Sequence, residues 1–149
     1  MEALIQKDVP LIAFRVDRLE PTQSPNQIGE QLEKLPTSPA HVLGNIAQGR
    51  DCVLVIDQLD AVSTASGRIS DFFDCVEQIV DQAKDYPKMR LLLACRKFDL
   101  DYDYRLKRLT GEKGIADIIP INPLSYEKVR EVVAELGLNS ISLNKKQLE

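Results

Sequence analysis

Five apolar residues in succession, Cys52-Val53-Leu54-Val55-Ile56, stand between Asp51 and Asp57. The run is too short for an ordinary helix and suits a strand buried on both faces, which belongs in the middle of a parallel sheet. It ends abruptly at Asp57, and a second carboxylate, Asp60, follows three residues later. In open α/β sheets ligands bind outside the carboxyl ends of the strands, which is where both acids fall. An aspartate there either holds a magnesium ion through its waters or simply caps the loop after a core strand.

Strands alternating with helices extend the pattern. A strand is expected over Leu11–Val16, after Pro10, and a short helix around Ile28, Leu32 and Leu35. Ser38-Pro39 opens a second helix with a good N-cap and a favoured first residue, and Gly49 can close it in a left-handed conformation. The small, polar stretch Ala61–Arg68 is a candidate site-covering loop or a plain connector. From Ser70, the residues Phe72, Phe73, Val76, Ile79, Val80 and Ala83 recur at helical spacing, and Asp71 and Asp74 favour the positive end of that helix. A third strand is expected over Arg90–Cys95, with Arg96 and Lys97 at its carboxyl end. Phe98–Gly114 is charged and irregular, with one helical turn near Leu106 and Leu109. A fourth strand is expected near Ile115–Ile121. Ser125 caps a last helix, with Leu124 and Val129 as a hydrophobic staple, core-facing Tyr126, Val129, Val133 and Leu136, and Gly137 as its stop. The expected fold is α/β, a parallel sheet of about four strands with helices on both faces.

Bulk properties narrow the function. The 149 residues are 44% hydrophobic, enough for one domain with a core, and at 5% aromatic that core is aliphatic. A net charge of −4, from 19 basic and 23 acidic side chains, argues against a nucleic-acid-binding face. No basic amphipathic or transmembrane-length segment points to a membrane, and a cytoplasmic location is expected. Cys52, Cys75 and Cys95 lack metal or redox spacing and read as buried, inert thiols. His41, alone near a helix start, reads as solvated and without metal-ligand company.

Asp57, Asp60 and Arg96 thus fall at the carboxyl ends of neighbouring strands, as in a nucleotide-triphosphate site where acids handle metal and water and a cation reads the terminal phosphate. The run Val53-Leu54-Val55-Ile56-Asp57-Gln58-Leu59-Asp60 resembles the Walker B motif of the STAND class of P-loop NTPases, which includes the NACHT proteins. Leu91-Leu92-Leu93-Ala94-Cys95-Arg96 is similar to the sensor strand of that class, which ends in an arginine. Ile119-Pro120-Ile121-Asn122-Pro123-Leu124-Ser125 resembles the strand, turn and helix start that lead to its helical lid. The resemblance implies Asp57 as the ligand of magnesium-bound water, Asp60 as the group orienting or deprotonating the attacking water, and Arg96 as the contact to the γ-phosphate. It implies ATP and Mg²⁺ as cofactors of a larger signalling protein.

One departure is large. The phosphate-binding G-x-x-x-x-G-K-[ST] loop is nowhere in the 149 residues, and the nearest cluster, Gly111-Glu112-Lys113-Gly114, has the wrong spacing. The chain therefore reads as an incomplete P-loop NTPase core of the ASCE type, residues 1–137, missing the phosphate-loop strand. Residues 138–149 then read as a connection toward a helical lid, and Met1–Lys7 as the end of an earlier helix. The isolated chain is expected to hold no ATP and no Mg²⁺, with the rest of the parent protein as its partner. The absent strand would leave a gap beside Leu91–Cys95, an edge suited to homo-oligomerisation. Two other readings carry an acid at the end of a central strand. One is a non-catalytic interaction module of NTPase-like fold. The other is a receiver-like phospho-acceptor, with Asp17 and Glu20 imitating part of its acidic pair but Asn122-Pro123 where its lysine should be.

Overall fold

The computed structural model describes Leu4, residues 6–64, 70–110 and 116–137, with the side chains of Ser70 and Asp71 left aside. Most of Met1–Lys7, residues 65–69 of the small polar loop, the Gly111–Gly114 cluster and the segment 138–149 lie outside the described residues. The chain falls into two units, Met1–Asp117 and Ile118–Glu149.

The first unit is built on three parallel strands in the order β1 (Leu11–Arg15), β2 (Cys52–Asp57) and β3 (Met89–Leu93). Strand β2 is central, as its apolar run requires. Its register sets Leu54 between Ile12 and Leu91, and Ile56 between Phe14 and Leu93, so these six side chains share one face. Helices α1 (Pro25–Gln31), α2 (Pro39–Ala47) and α3 (Ser70–Ala83) bring Ile28, Leu43, Phe73, Val76 and Ile79 into the same buried cluster as Leu54 and Ile56. Every apolar residue expected on the face of α3 is buried.

The second face of the sheet differs from expectation. Val53 and Val55 are only half-buried, Ala13 is exposed, and Leu92 is 54% exposed. Strand β2 is thus sealed on one face rather than two, because the core gathers on the side of Cys52, Leu54 and Ile56.

Helix ends bear out part of the sequence logic. Ser38 occupies the N-cap position of α2, but its hydroxyl bonds Gln82 of α3 instead of the helix's own amides. Left-handed backbone at Gln48 and Gly49 ends α2. Gly44 is required for close packing: a Cβ there would lie 2.2 Å from the ring of Tyr86. His41, read as solvated, is half-buried and its Nδ1 lies 3.0 Å from the Tyr86 hydroxyl.

Beyond β3 the irregular segment is two short helices, α4 (Lys97–Tyr102) and α5 (Tyr104–Leu109), where one turn was expected. Asp103 caps α5 by accepting from the Arg105 amide at 2.9 Å. The expected fourth strand is absent among the described residues, and Ile115, its expected start, lies outside them. Residues 117–121 have no strand hydrogen bonding, and Ile118, Ile119 and Ile121 are 61%, 78% and 93% exposed. Three isoleucines cannot hold an extended segment without a neighbouring strand to supply its ladder. In the second unit α6 (Tyr126–Glu135) starts where expected, Ser125 accepting from the Lys128 amide. Its apolar side forms no core: Tyr126, Val129 and Val133 are half-buried, while Leu124 and Leu136 are exposed. No helix among the described residues is long and apolar enough to cross a membrane.

Candidate functional site

Parallel pairing carries the ends of all three strands to one rim, and the chemistry-bearing residues follow from it. The register sets Asp57 opposite Arg15, whose guanidinium makes two bonds to Asp17, at 3.0 and 2.8 Å. Asp57 Oδ1 accepts the Gln58 amide at 2.8 Å. That bond supports Gln58 in the left-handed region, φ 59°, a conformation that costs most residues energy. The reversal turns the chain directly into a 3₁₀ turn over Leu59–Val62.

Asp60 lies on that turn and is 8% exposed. Its Oδ2 pairs with Arg96 Nε at 3.2 Å, while Oδ1 is buried with no hydrogen-bond partner. Arg96 stands at the N-cap position of α4, just past β3, with its side chain 73% exposed. Two backbone bonds hold the segments in this relation: Ala94 N–H to Ile56 O at 3.0 Å and Leu59 N–H to Ala94 O at 2.9 Å. The rim therefore brings Asp60 and Arg96 into contact, and Asp57 stands at the end of the same central strand.

Cys95, beside Arg96, is half-buried, and its thiol is pushed up first by burial and then by the charges of Asp60 and Asp99. Cys52 and Cys75 are buried, and burial pushes Cys75 up to about 11. All three thiols favour the protonated, inert form.

The geometry sets limits on what this rim can hold. No group of three or more His, Cys, Asp or Glu side chains among the described residues could hold a metal ion. One Asp57 oxygen serves the Gln58 turn and one Asp60 oxygen serves Arg96. A triphosphate needs a nest of backbone amides and a lysine, which no motif of this chain supplies. These residues alone do not fit Mg-ATP. Open surface hollows of about 330 and 310 Å³ occur elsewhere, one lined by Pro21, Thr22, Gln27, Glu30 and Gln31, the other by Glu127, Arg130 and Glu131.

Sequence reasoning missed a buried polar cluster behind the rim. Asp99 and Asp103 are each 1% exposed and Arg105 is 8% exposed. Asp103 Oδ2 accepts both the amide and the hydroxyl of Thr64, at 2.7 and 2.8 Å. The Arg105 guanidinium lies 4.2 Å from the centre of the Phe73 ring and 3.9 Å from Asp74. The available signal was Asp103 as an N-cap ahead of Leu106 and Leu109.

Compared with known proteins, the chain matches no family model, no curated protein and no solved structure.

Proposed function

We propose that this chain is the Walker B half of a STAND-type, NACHT-like ATPase switch within a larger signalling protein, whose phosphate-binding loop is contributed by another part of that protein. The observation that carries this reading is the Asp60–Arg96 pair, 3.2 Å, joining the carboxyl ends of β2 and β3. In this reading Asp57 would take the water-mediated magnesium contact, Asp60 would orient or deprotonate the attacking water, and Arg96 would contact the γ-phosphate in place of Asp60. An arginine that is largely exposed and held by one ion pair is free to make that exchange at small cost. Magnesium bound to the triphosphate would neutralise phosphate charge facing the two acids.

Three features further support an incomplete core. Among the described residues β3 is an edge, the second face of the sheet leaves Ala13 and Leu92 exposed, and the apolar 118–121 segment pairs with no strand. A phosphate-loop strand inserted beside β3 would pair that edge and supply the missing amide nest. Calorimetric titration of the 149-residue chain with Mg-ATP tests the proposal: no saturable binding is expected at micromolar ligand, and micromolar affinity would overturn it.

The second reading is a non-catalytic interaction module of NTPase-like fold. The commitment of an Asp57 oxygen to the Gln58 turn favours it, since a purely structural aspartate needs no ligand. Nucleotide binding by the complete gene product separates the two.

A further inference from the structure

The turn that carries Asp60 is tied to the segment that carries Arg96 at its start, at its last residue and just past it. At its start, Leu59 N–H donates to Ala94 O at 2.9 Å. At its last residue, Arg105 Nη2 donates to Val62 O at 3.4 Å. Just past it, both donors of Thr64 converge on Asp103 Oδ2, while Ser63 N–H closes the turn on Asp60 O at 3.3 Å. Asp103 Oδ1 meanwhile accepts the Arg105 amide, so one buried carboxylate spans the turn and the start of α5. A carboxylate taken out of water is costly unless each oxygen is satisfied, and here both are.

We infer that Asp103 is a positioning residue for Asp60: with Arg105 it locks the acid-bearing turn to α4 and α5, so that movement of these helices resets Asp60 against Arg96. Thr64 is the handle on the turn, since its amide and hydroxyl are the groups Asp103 holds. Arg105 steadies the arrangement from the other side, its guanidinium resting on Phe73 of α3. The consequence for hydrolysis rests on the ATPase reading. There, α4 and α5 would set whether Asp60 and Arg96 stand paired or apart, which is the state a nucleotide switch must report. The mechanical coupling itself requires no nucleotide.

The test is made on the full chain without nucleotide, by nuclear magnetic resonance of the Arg96 side-chain Nε–H and by amide exchange at Ser63 and Thr64. Asp103→Asn keeps the volume and leaves one acceptor oxygen where there were two, so either the Thr64 bonds or the Arg105 amide bond must go. About fivefold faster exchange of the Arg96 Nε–H is expected, the change that loss of a partly exposed ion pair produces. Asp60→Asn gives the reference for a lost partner. Thr64→Val, which loses only the hydroxyl, should show an intermediate effect, and Thr64→Ser should restore the native rate. Should Asp103→Asn fail to fold, the Val and Ser variants carry the comparison. Unchanged Arg96 Nε–H exchange in Thr64→Val and in any folded Asp103→Asn would reduce Asp103 to support of the fold and overturn the inference. Because nothing here depends on ATP, this result and the fate of the ATPase reading are separate.

Discussion

Leu54 and Val55 are neighbours on the central strand, yet they face different environments, and truncating each to alanine measures the difference. Leu54 is fully buried, between Ile12 and Leu91 on the closed face of the sheet. Removing its three outer carbons forfeits their transfer free energy and leaves a cavity that a strand paired on both sides cannot collapse to fill. The cost is about 3–5 kcal/mol. Val55 is half-buried on the other face, opposite Ala13 and Leu92. Two methyl groups at about 0.8 kcal/mol each, half of that value already lost to solvent, give about 1 kcal/mol. Against the roughly 5–15 kcal/mol that holds a domain of this size, the first change is severe and the second mild. Urea unfolding followed by circular dichroism, with midpoint and slope fitted for each variant, reads the two values directly. Equal costs at both positions would mean that the second face is as well packed as the first, and the one-sided core would be wrong.

Other outcomes follow from the same geometry. Burial pushes the Asp103 carboxyl up, but the Thr64 bonds, the Arg105 amide and the Arg105 charge together outweigh it, and the group is held below its ordinary value of 3.8. A depressed carboxylate stabilises the fold fully above the unfolded-state value, about 3.9, and that contribution is lost as pH falls through the lower folded value. Asp103→Asn should therefore be less stable than the native chain at pH 7 and lose less on acidification to pH ~2.5; parallel pH–stability curves would contradict this. Gly44→Ala, stabilising by up to about 1 kcal/mol in an open helix, should here destabilise by about 1–3 kcal/mol through the Tyr86 clash, read as a lower thermal midpoint. The β3 edge, with Leu92 exposed, should support self-association at high concentration, and Leu92→Lys should suppress it. A strictly monomeric mass by light scattering would remove that expectation.

The sequence made the first unit legible wherever a local pattern coincided with burial. The Cys52–Ile56 run, the spacing of Phe72 to Ala83 and the strand expected over Arg90–Cys95, found at Met89–Leu93, all reappear as elements, because in each the apolar side chains have a partner surface within the chain. The approach of Asp60 to Arg96 was legible for the same reason, since parallel pairing alone sends both to one rim. The failures share a cause of the opposite kind. Ile118, Ile119, Ile121 and Leu136 have the composition of buried elements but remain exposed. A pattern states what a segment would bury without stating that a surface is present to receive it. The Asp99–Arg105 cluster was missed because charged residues in an irregular stretch read as solvated. Its burial depends on Thr64, Val62 and Phe73, distant in sequence, and periodicity carries no trace of such pairings.

Mg-ATP hydrolysis by the product of the complete gene, compared with its Asp60→Asn and Arg96→Ala variants, weighs the whole account most directly. Turnover in the native protein should fall at least about a hundredfold in the Asp60 variant, the loss typical of removing a general base. Arg96→Ala should also slow it sharply by removing charge stabilisation from the γ-phosphate. Native turnover unaffected by either substitution, or no nucleotide binding at all by the complete product, would contradict the ATPase reading.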